Sequence, residues 1–497
     1  MRIRRLLIFC LVIILCFPLL AGAQGGSADI ARRTLESGIA FYRSGDFRQA
    51  LQDFQTVINS FPDSEWVDEA LLYIARYRYE VEGDLEGARG ELQRVVREHA
   101  QTNSTPRAYY YLGYILFDSR LSVEHVRDGL ANLERVVRLF PESEVAADAL
   151  LLASRVHIFL GEYDGALEKL QKIIMEFPNS PLCAEAQFLM GDAFMSMDDM
   201  LQAMVEFQQV RNGFPDSPLA ERALDRLTLL YRLHFSREAG IEQYRHDFSF
   251  SLHASQRLDD PIYLVAGGDG GFFLADRGLN QVLEFDPSGR QVASETVRRA
   301  EMVKVGPWGG RFILANRQLW RGGPVVAVIG SGESAQRLTS VRAFCIGPRG
   351  DLYLWDDRVN QIHRFANDLS YGGIFRSDTY RDVRDMAADS LGNVYVLEGR
   401  DRRIKVYDPA GRPLRTVGPR IGGFELRDPR YIAIDEADNL YVLDRRQNSV
   451  VVVDASGQEL ALLAYGEAVR DPRGLVVDAS GAVIVVDRRQ LNAVRFH

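Results

Sequence analysis

The sequence predicts a multidomain chain, α then β. An α-solenoid of stacked helix pairs covers residues 28–235, a short junction 236–246, and a six-bladed β-propeller 247–497. Three observations carry this. At 497 residues the chain is too long for one ordinary core. A Phe-Pro mark returns every 37 residues at Phe140-Pro141, Phe177-Pro178 and Phe214-Pro215, with Phe61-Pro62 as an earlier member. In the second half an acidic or amide corner recurs at Asp276, Asn316, Asp356, Glu398, Asp444 and Asp487, in steps of 40, 40, 42, 46 and 43 residues. Fixed periods of this size mark repeat architectures, helical in one half and stranded in the other.

The first segment stands apart. Three arginines lie within Met1 to Arg5, Leu6 to Leu20 is apolar but for Pro18, and Ala21-Gly22-Ala23 follows. That is the layout of a secretory signal peptide over residues 1–23, with cleavage expected after Ala23; the alternative is an uncleaved anchor, for which the apolar run is short. Neither Cys10 nor Cys16 follows the small-residue pattern of a lipid-modified cysteine, so the expectation is a periplasmic or secreted protein, not a lipoprotein, with no membrane span after signal removal. Cys183 and Cys345 fall in different halves and read as small buried residues, so packing rather than a disulfide must stabilise the fold.

Between the Phe-Pro marks the apolar residues follow helical spacing, as in Ala166, Leu167, Leu170, Ile173 and Ile174. Ser64, Ser143, Ser180 and Ser217 read as N-caps, with Pro181 and Pro218 at the first helical position. A Gly-acidic turn recurs at Gly45-Asp46, Gly83-Asp84 and Gly161-Glu162, and Ala50, Ala88 and Ala166 follow at matching distances. These marks resemble the tetratricopeptide repeat in its bacterial envelope form. They give five helix pairs between about Ile30 and Phe214, a capping helix near Leu219 to His234, and a longer connection in the third pair over Asp118 to Arg127. The resemblance implies a superhelix whose groove takes extended segments of other proteins. Tyr73, Tyr77, Tyr79, Tyr109, Tyr110, Tyr111 and Tyr114 either line that groove or pack between helices.

Around each corner of the second half lie short β-prone runs, such as Tyr395 to Leu397 and Ile404 to Tyr407, punctuated by turns such as Asp408-Pro409-Ala410-Gly411. Asn280, Asn360 and Asn448 sit four positions after their corners. Six such units resemble the NHL-repeat β-propeller. The second departs most, because Arg317 to Pro324 is not a clear third strand. The last unit has three strands, so residues 247–254 are expected to supply its outer strand and close the ring.

Candidate chemistry is confined to arginine. The corner turns carry Arg277, Arg317, Arg358, Arg400, Arg445 and Arg488, and the entries to the inner strands carry Arg342, Arg384, Arg430 and Arg473. Guanidinium groups on one face bind carboxylates, phosphates or acidic protein surfaces through bidentate hydrogen bonds, and the adjacent Asp and Glu residues equally well neutralise them locally. No Gly-x-Ser-x-Gly, His-Glu-x-x-His or Cys-x-x-Cys occurs, and His253, His363 and His497 share no repeat position. No catalytic residue, cofactor or metal ligand is therefore predicted; Asp389, Asp435 and Asp478 read as turn caps. From Asp247 on there are 33 basic and 33 acidic residues, against 23 and 35 over residues 24–246, which with export argues against nucleic acid.

The expectation is a non-enzymatic scaffold of the bacterial cell envelope. The groove takes other envelope proteins or extended peptide segments, and the propeller takes an anionic glycan or an acidic protein. The alternative is a propeller enzyme, a metal-dependent lyase or lactonase-like hydrolase, docked through its helices.

Overall fold

The computed structural model describes residues 27–100, 102–119, 123–236, 243–267, 270–307, 309–322, 324–325, 328–329, 336–338, 340–366 and 369–497. The expected signal segment and Ala23 lie outside them. The chain forms two compact units, one ending at Met197 and one beginning at Asp198.

The first unit is helical: α1 (27–44), α2 (Phe47–Ser60), α3 (Val67–Glu80), α4 (Leu85–Glu98), α5 (Ser104–Ser119), α6 (Val123–Leu139), α7 (Ala146–Leu160), α8 (Tyr163–Glu176) and α9 (Cys183–Ser196). The Gly-acidic turns are helix stops joined to helix starts. Gly45, Gly83 and Gly161 take positive φ, which ends a helix. Asp46 and Asp84 then accept from the backbone N–H of Gln49 and Gly87 to cap the next. Ala50, Ala88 and Ala166 are fully buried, so their helices approach closely. Helix α5 packs on both α3 and α7, so these odd-numbered helices share one layer.

Two local expectations are corrected. Helix α6 begins at Val123, so only residues 120–122 separate it from α5 and no long connection exists. Of the serines, only Ser217 is the N-cap itself, accepting from Leu219 N with Pro218 first in the helix. Ser64, Ser143 and Ser180 each lie three residues before a helix. There their carbonyls accept from Val67, Ala146 and Cys183, closing a tight turn that holds Pro181 outside the helix.

The second unit opens with α10 (Met200–Gly213), α11 (Pro218–Leu230) and a π-helical turn, Tyr231–Phe235, and continues into the propeller. The unit boundary therefore precedes these helices and not the expected junction, of which 237–242 lie outside the described residues. The cause is burial: Leu229, Leu233 and Tyr244 join Tyr441, Leu475 and Val483 in one core.

Six four-stranded antiparallel sheets follow. The innermost strands are Pro261–Ala266, Ala300–Val305, Val341–Ile346, Val383–Ala388, Pro429–Ile434 and Pro472–Val477, and neighbouring ones pack around a common axis. The second blade has the shortest third strand, Gln318–Trp320, and a two-residue fourth, Pro324–Val325. Asn280, Asn360 and Asn448 hold φ near +55, +57 and +49, the left-handed corner that asparagine tolerates. The last blade takes its fourth strand from His246–Asp247, paired with Phe496 and Arg495. The expected closing strand, 247–254, is corrected to these two residues. The Asp247 carboxylate accepts from Ser249 N and turns the chain away, so that His253 pairs with Arg290 of the first blade.

Candidate functional site

Each inner strand begins with a β-bulge at its second residue in the first five blades, and over the second and third residues in the sixth. A bulge leaves its extra residue out of the ladder and re-aims its side chain. The bulged second positions hold Ile262, Glu301, Arg342, Arg384, Arg430 and Arg473, so the repeat delivers four arginines to one end of the ring. The corner carboxylates beside them are buried structural acceptors. Asp444 takes the N–H groups of Arg427, Asp428, Arg446 and Gln447, and Asp487 those of Arg470, Asp471, Arg489 and Gln490. Asn316 breaks the rule, being exposed.

Seven of the ten candidate arginines are tied to aspartates. Arg342 Nε lies 2.6 Å from Asp357, Arg430 Nε 3.1 Å from Asp428, Arg473 Nε 3.2 Å from Asp471, and Arg277 Nη2 2.7 Å from Asp260. Arg384 spans two blades, with Nη1 2.6 Å from Asp428 Oδ1 and 2.7 Å from the Pro429 carbonyl. Arg445 Nη2 is 2.9 Å from Asp428, and Arg488 reaches from the last blade to Asp260 of the first. Burial pushes the Asp428 and Asp260 carboxyls up, but the surrounding guanidinium groups outweigh it and hold both below the usual carboxylate range. Arg317, Arg358 and Arg400, on three successive blades, are exposed and make no ion pair among the described residues.

The bulge residues open onto a vestibule of about 250 Å³ lined by Ile262, Tyr263, Arg277, Glu301, Met302, Leu314, Arg342, Arg384, Tyr431 and Arg473. Its floor is a septum absent from the sequence-based expectations. Asp385, 1 % exposed, accepts from Tyr263 OH at 3.1 Å, Met386 N at 2.9 Å and Ile432 N at 3.2 Å, and pairs with Lys304 Nζ at 3.1 Å. Lys304 also donates to the Met386 carbonyl and lies over the Tyr263 ring. These contacts tie four blades together across the axis. Burial, then the Asp385 charge, pushes the Tyr263 hydroxyl far above its ordinary pKa, so it stays a donor. One signal in the sequence points there: Lys304 and Asp385 are the charged inner-strand residues outside the second position.

Below the septum a second vestibule, about 240 Å³, is lined by the far ends of the inner strands with Lys304 and Cys345. Burial pushes the Cys345 thiol up to about 12, which leaves it protonated and inert. Helix α11 docks at this end. Arg226 lies 3.2 Å from Glu436, Arg232 Nη1 donates to the Ser480 carbonyl at 2.7 Å, and Leu229 covers Gly481. The arginine mouth faces the opposite way. Asp389 and Asp435 cap the loops here, each accepting from two backbone N–H groups, an asparagine amide and a tyrosine hydroxyl. Among the described residues no group of three His, Cys, Asp or Glu side chains is placed to hold a metal ion. Among the described residues no helix is long and apolar enough to cross a membrane.

In the helical unit the tyrosines divide. Tyr73 stacks on Phe54, Tyr77 tilts against Phe47 and Tyr109 against Phe140, all packing between helices. Arg76 of α3 lies 5.4 Å from the Tyr42 ring, 5.7 Å from Tyr73 and 5.6 Å from Tyr111. Its Nε donates to Glu80, which also accepts from Tyr42 OH at 2.7 Å. Tyr114, beside Tyr79, is 37 % exposed. Cation, tyrosines and carboxylate thus form one strip across α1, α3 and α5.

A family described as outer membrane lipoprotein (YfiO) matches residues 29–164, and a tetratricopeptide repeat family matches 185–217. No curated protein matches the chain. Among solved structures, a streptogramin B lyase is 12% identical over 51% of this chain and 97% of its own, with a TM-score of 0.39. A virginiamycin B lyase from Staphylococcus aureus is 14% identical over 49% and 82%, at 0.37. A MamA protein is 23% identical over 38% and 92%, at 0.30. The chain is a tetratricopeptide-type solenoid followed by a six-bladed β-propeller, and its helical half is a protein-interaction module.

Proposed function

We propose that the protein is an exported, non-enzymatic scaffold of the bacterial cell envelope. In this reading the helical layer grips an extended segment of another envelope protein, and the propeller's arginine face is a second binding surface. The strip around Arg76 carries the proposal. Tyr42, Tyr111 and Tyr114 supply broad amphipathic contact area at low entropic cost, and Arg76 and Glu80 are held ready for charge-assisted hydrogen bonds. The envelope location rests on the apolar leader at residues 1–23 and on the description of the family matching 29–164.

The test is chemical crosslinking in the native envelope fraction followed by recovery of the protein. Wild type is compared with a Tyr42→Ala/Tyr111→Ala variant of unchanged helical content. Loss of a discrete partner from the variant supports the reading. An identical set of recovered proteins refutes the helical strip as the grip.

A further inference from the structure

We infer that the arginine-lined vestibule of the propeller recognises a single carboxylate carried on an apolar or aromatic body. The inference rests on reading that face as a binding surface, and it narrows the ligand to one chemical class. Four guanidinium groups, those of Arg277, Arg342, Arg384 and Arg473, line the cavity against one carboxylate, Glu301. Each is gripped from behind, Arg277, Arg342 and Arg384 through Nε by Asp260 at 2.8 Å, Asp357 at 2.6 Å and Asp382 at 2.9 Å, and Arg473 through Nη2 by Asp471 at 3.2 Å. Such an aspartate fixes the plane of the fork, so the ordering cost is met before a ligand arrives. In Arg277, Arg342 and Arg473 the Nη1 nitrogen has no partner among the described residues. The Tyr431 hydroxyl likewise has none, and its ring meets Tyr263 at 6.0 Å to floor the cavity.

Charge and size select the ligand. With Arg430, Arg445 and Arg488 at the same mouth, seven guanidinium groups face six carboxylates, those of Asp260, Asp357, Asp382, Asp428, Asp471 and Glu301, which leaves one net positive charge, suited to one negative charge and not to a phosphate's two. Asp357, Asp382 and Asp471 repel a polyanion laid across the face, which disfavours an acidic glycan chain or nucleic acid. A volume of about 250 Å³ admits a side chain or a small acid. It lies below the roughly 300–1,000 Å³ of sites for larger ligands. The tyrosine and methionine floor provides the apolar contact. Such a group arrives either as a free organic acid or as an acidic residue beside an aromatic one on a protein partner.

The experiment titrates the full chain by calorimetry and ligand-observed NMR with phenylacetate, with neutral phenylacetamide, and with a short peptide carrying Glu next to Phe. Proteins compared are wild type, Arg342→Gln/Arg473→Gln, and Tyr431→Phe, which removes only the hydroxyl. Binding of phenylacetate but not the amide, weakened about tenfold or more in the double variant, supports the pocket with a free acid as its ligand; tenfold is the order expected for losing a charge-assisted hydrogen bond. Binding of the peptide alone, with the same loss, supports it with a protein carboxylate. If the double variant does not fold, a several-fold loss in Tyr431→Phe supports the pocket in its place. Overturning results are no binding of either acid, equal binding of the amide, or affinities unchanged in the variants. Partner recovery through Tyr42 and Tyr111 does not depend on this pocket, so failure of one reading is distinguishable from failure of the other.

Discussion

Removing the Asp385 carboxylate should unfold the propeller far more readily than removing any surface charge. In Asp385→Ala the Lys304 ammonium, 14% exposed, loses its ion-pair partner, and Tyr263 OH and Ile432 N lose an acceptor. Breaking a buried pair from one side costs about 3–5 kcal/mol, much of it the charge left behind. Replacing both partners with neutral groups, as in Asp385→Asn/Lys304→Met, keeps an acceptor for Tyr263 and removes the stranded cation, so about 2 kcal/mol or less is expected. The pair should therefore couple by roughly 2 kcal/mol in a double-mutant cycle. Urea unfolding followed by tryptophan fluorescence in a Trp66→Phe background reads this directly, because the remaining tryptophans, 308, 320 and 355, lie in the propeller sequence. A loss below about 1 kcal/mol in Asp385→Ala, or strict additivity of the single changes, refutes the septum as a structural tie.

Three further outcomes follow from the same contacts. Asp444→Ala, which strands four backbone donors, should cost about 3 kcal/mol in the same urea assay, whereas Asn316→Ala, exposed but at φ +53, should cost only about 1 kcal/mol. Gly481→Ala should loosen α11. Gly481 holds φ +74 and an added Cβ would meet Leu229 Cδ1 at 2.4 Å, so hydrogen exchange should rise over residues 218–235 while the central blades stay protected. The propeller should also lose stability on acidification. Burial lowers the pKa of His363, so the unfolded chain takes up its proton first; stability is present above the unfolded value of about 6.5 and is lost as pH falls through it. His363→Phe should flatten the part of the urea midpoint's fall between pH 7.5 and 5.5 that belongs to this ring. His234, also lowered by burial, retains the remainder.

Repetition makes the architecture legible. A Gly-Asp pair recurring in phase is a helix stop beside a helix cap, and the corner recurring in steps of 40 to 46 residues is, at Asp276, Asp444 and Asp487, a buried carboxylate holding the same two loops. Positions that break the repeat are harder to read. The closing strand shortens to His246–Asp247 because the Asp247 side chain turns the chain, a contact no period announces. The septum is hidden for the same reason. Tyr263, Lys304 and Asp385 come from different blades, and none repeats in its neighbours, so only the ring's closure brings them together. The arginines stand out by their repetition, yet their pairing does not: Arg488 reaches Asp260 over 228 residues of sequence, and the sequence does not separate it from Arg400, which has no such partner. The helical period of α11 places it with the solenoid, while its burial against the propeller depends on Leu229 meeting a glycine loop.

The most direct test of the scaffold reading places a photo-crosslinking amino acid at Tyr114 in the helical strip and, separately, at Leu139, 54 % exposed on α6. Irradiation of the native envelope fraction should give a discrete adduct with one envelope protein from position 114 and none from position 139. Equal adducts from both positions, or none from position 114, would contradict the account.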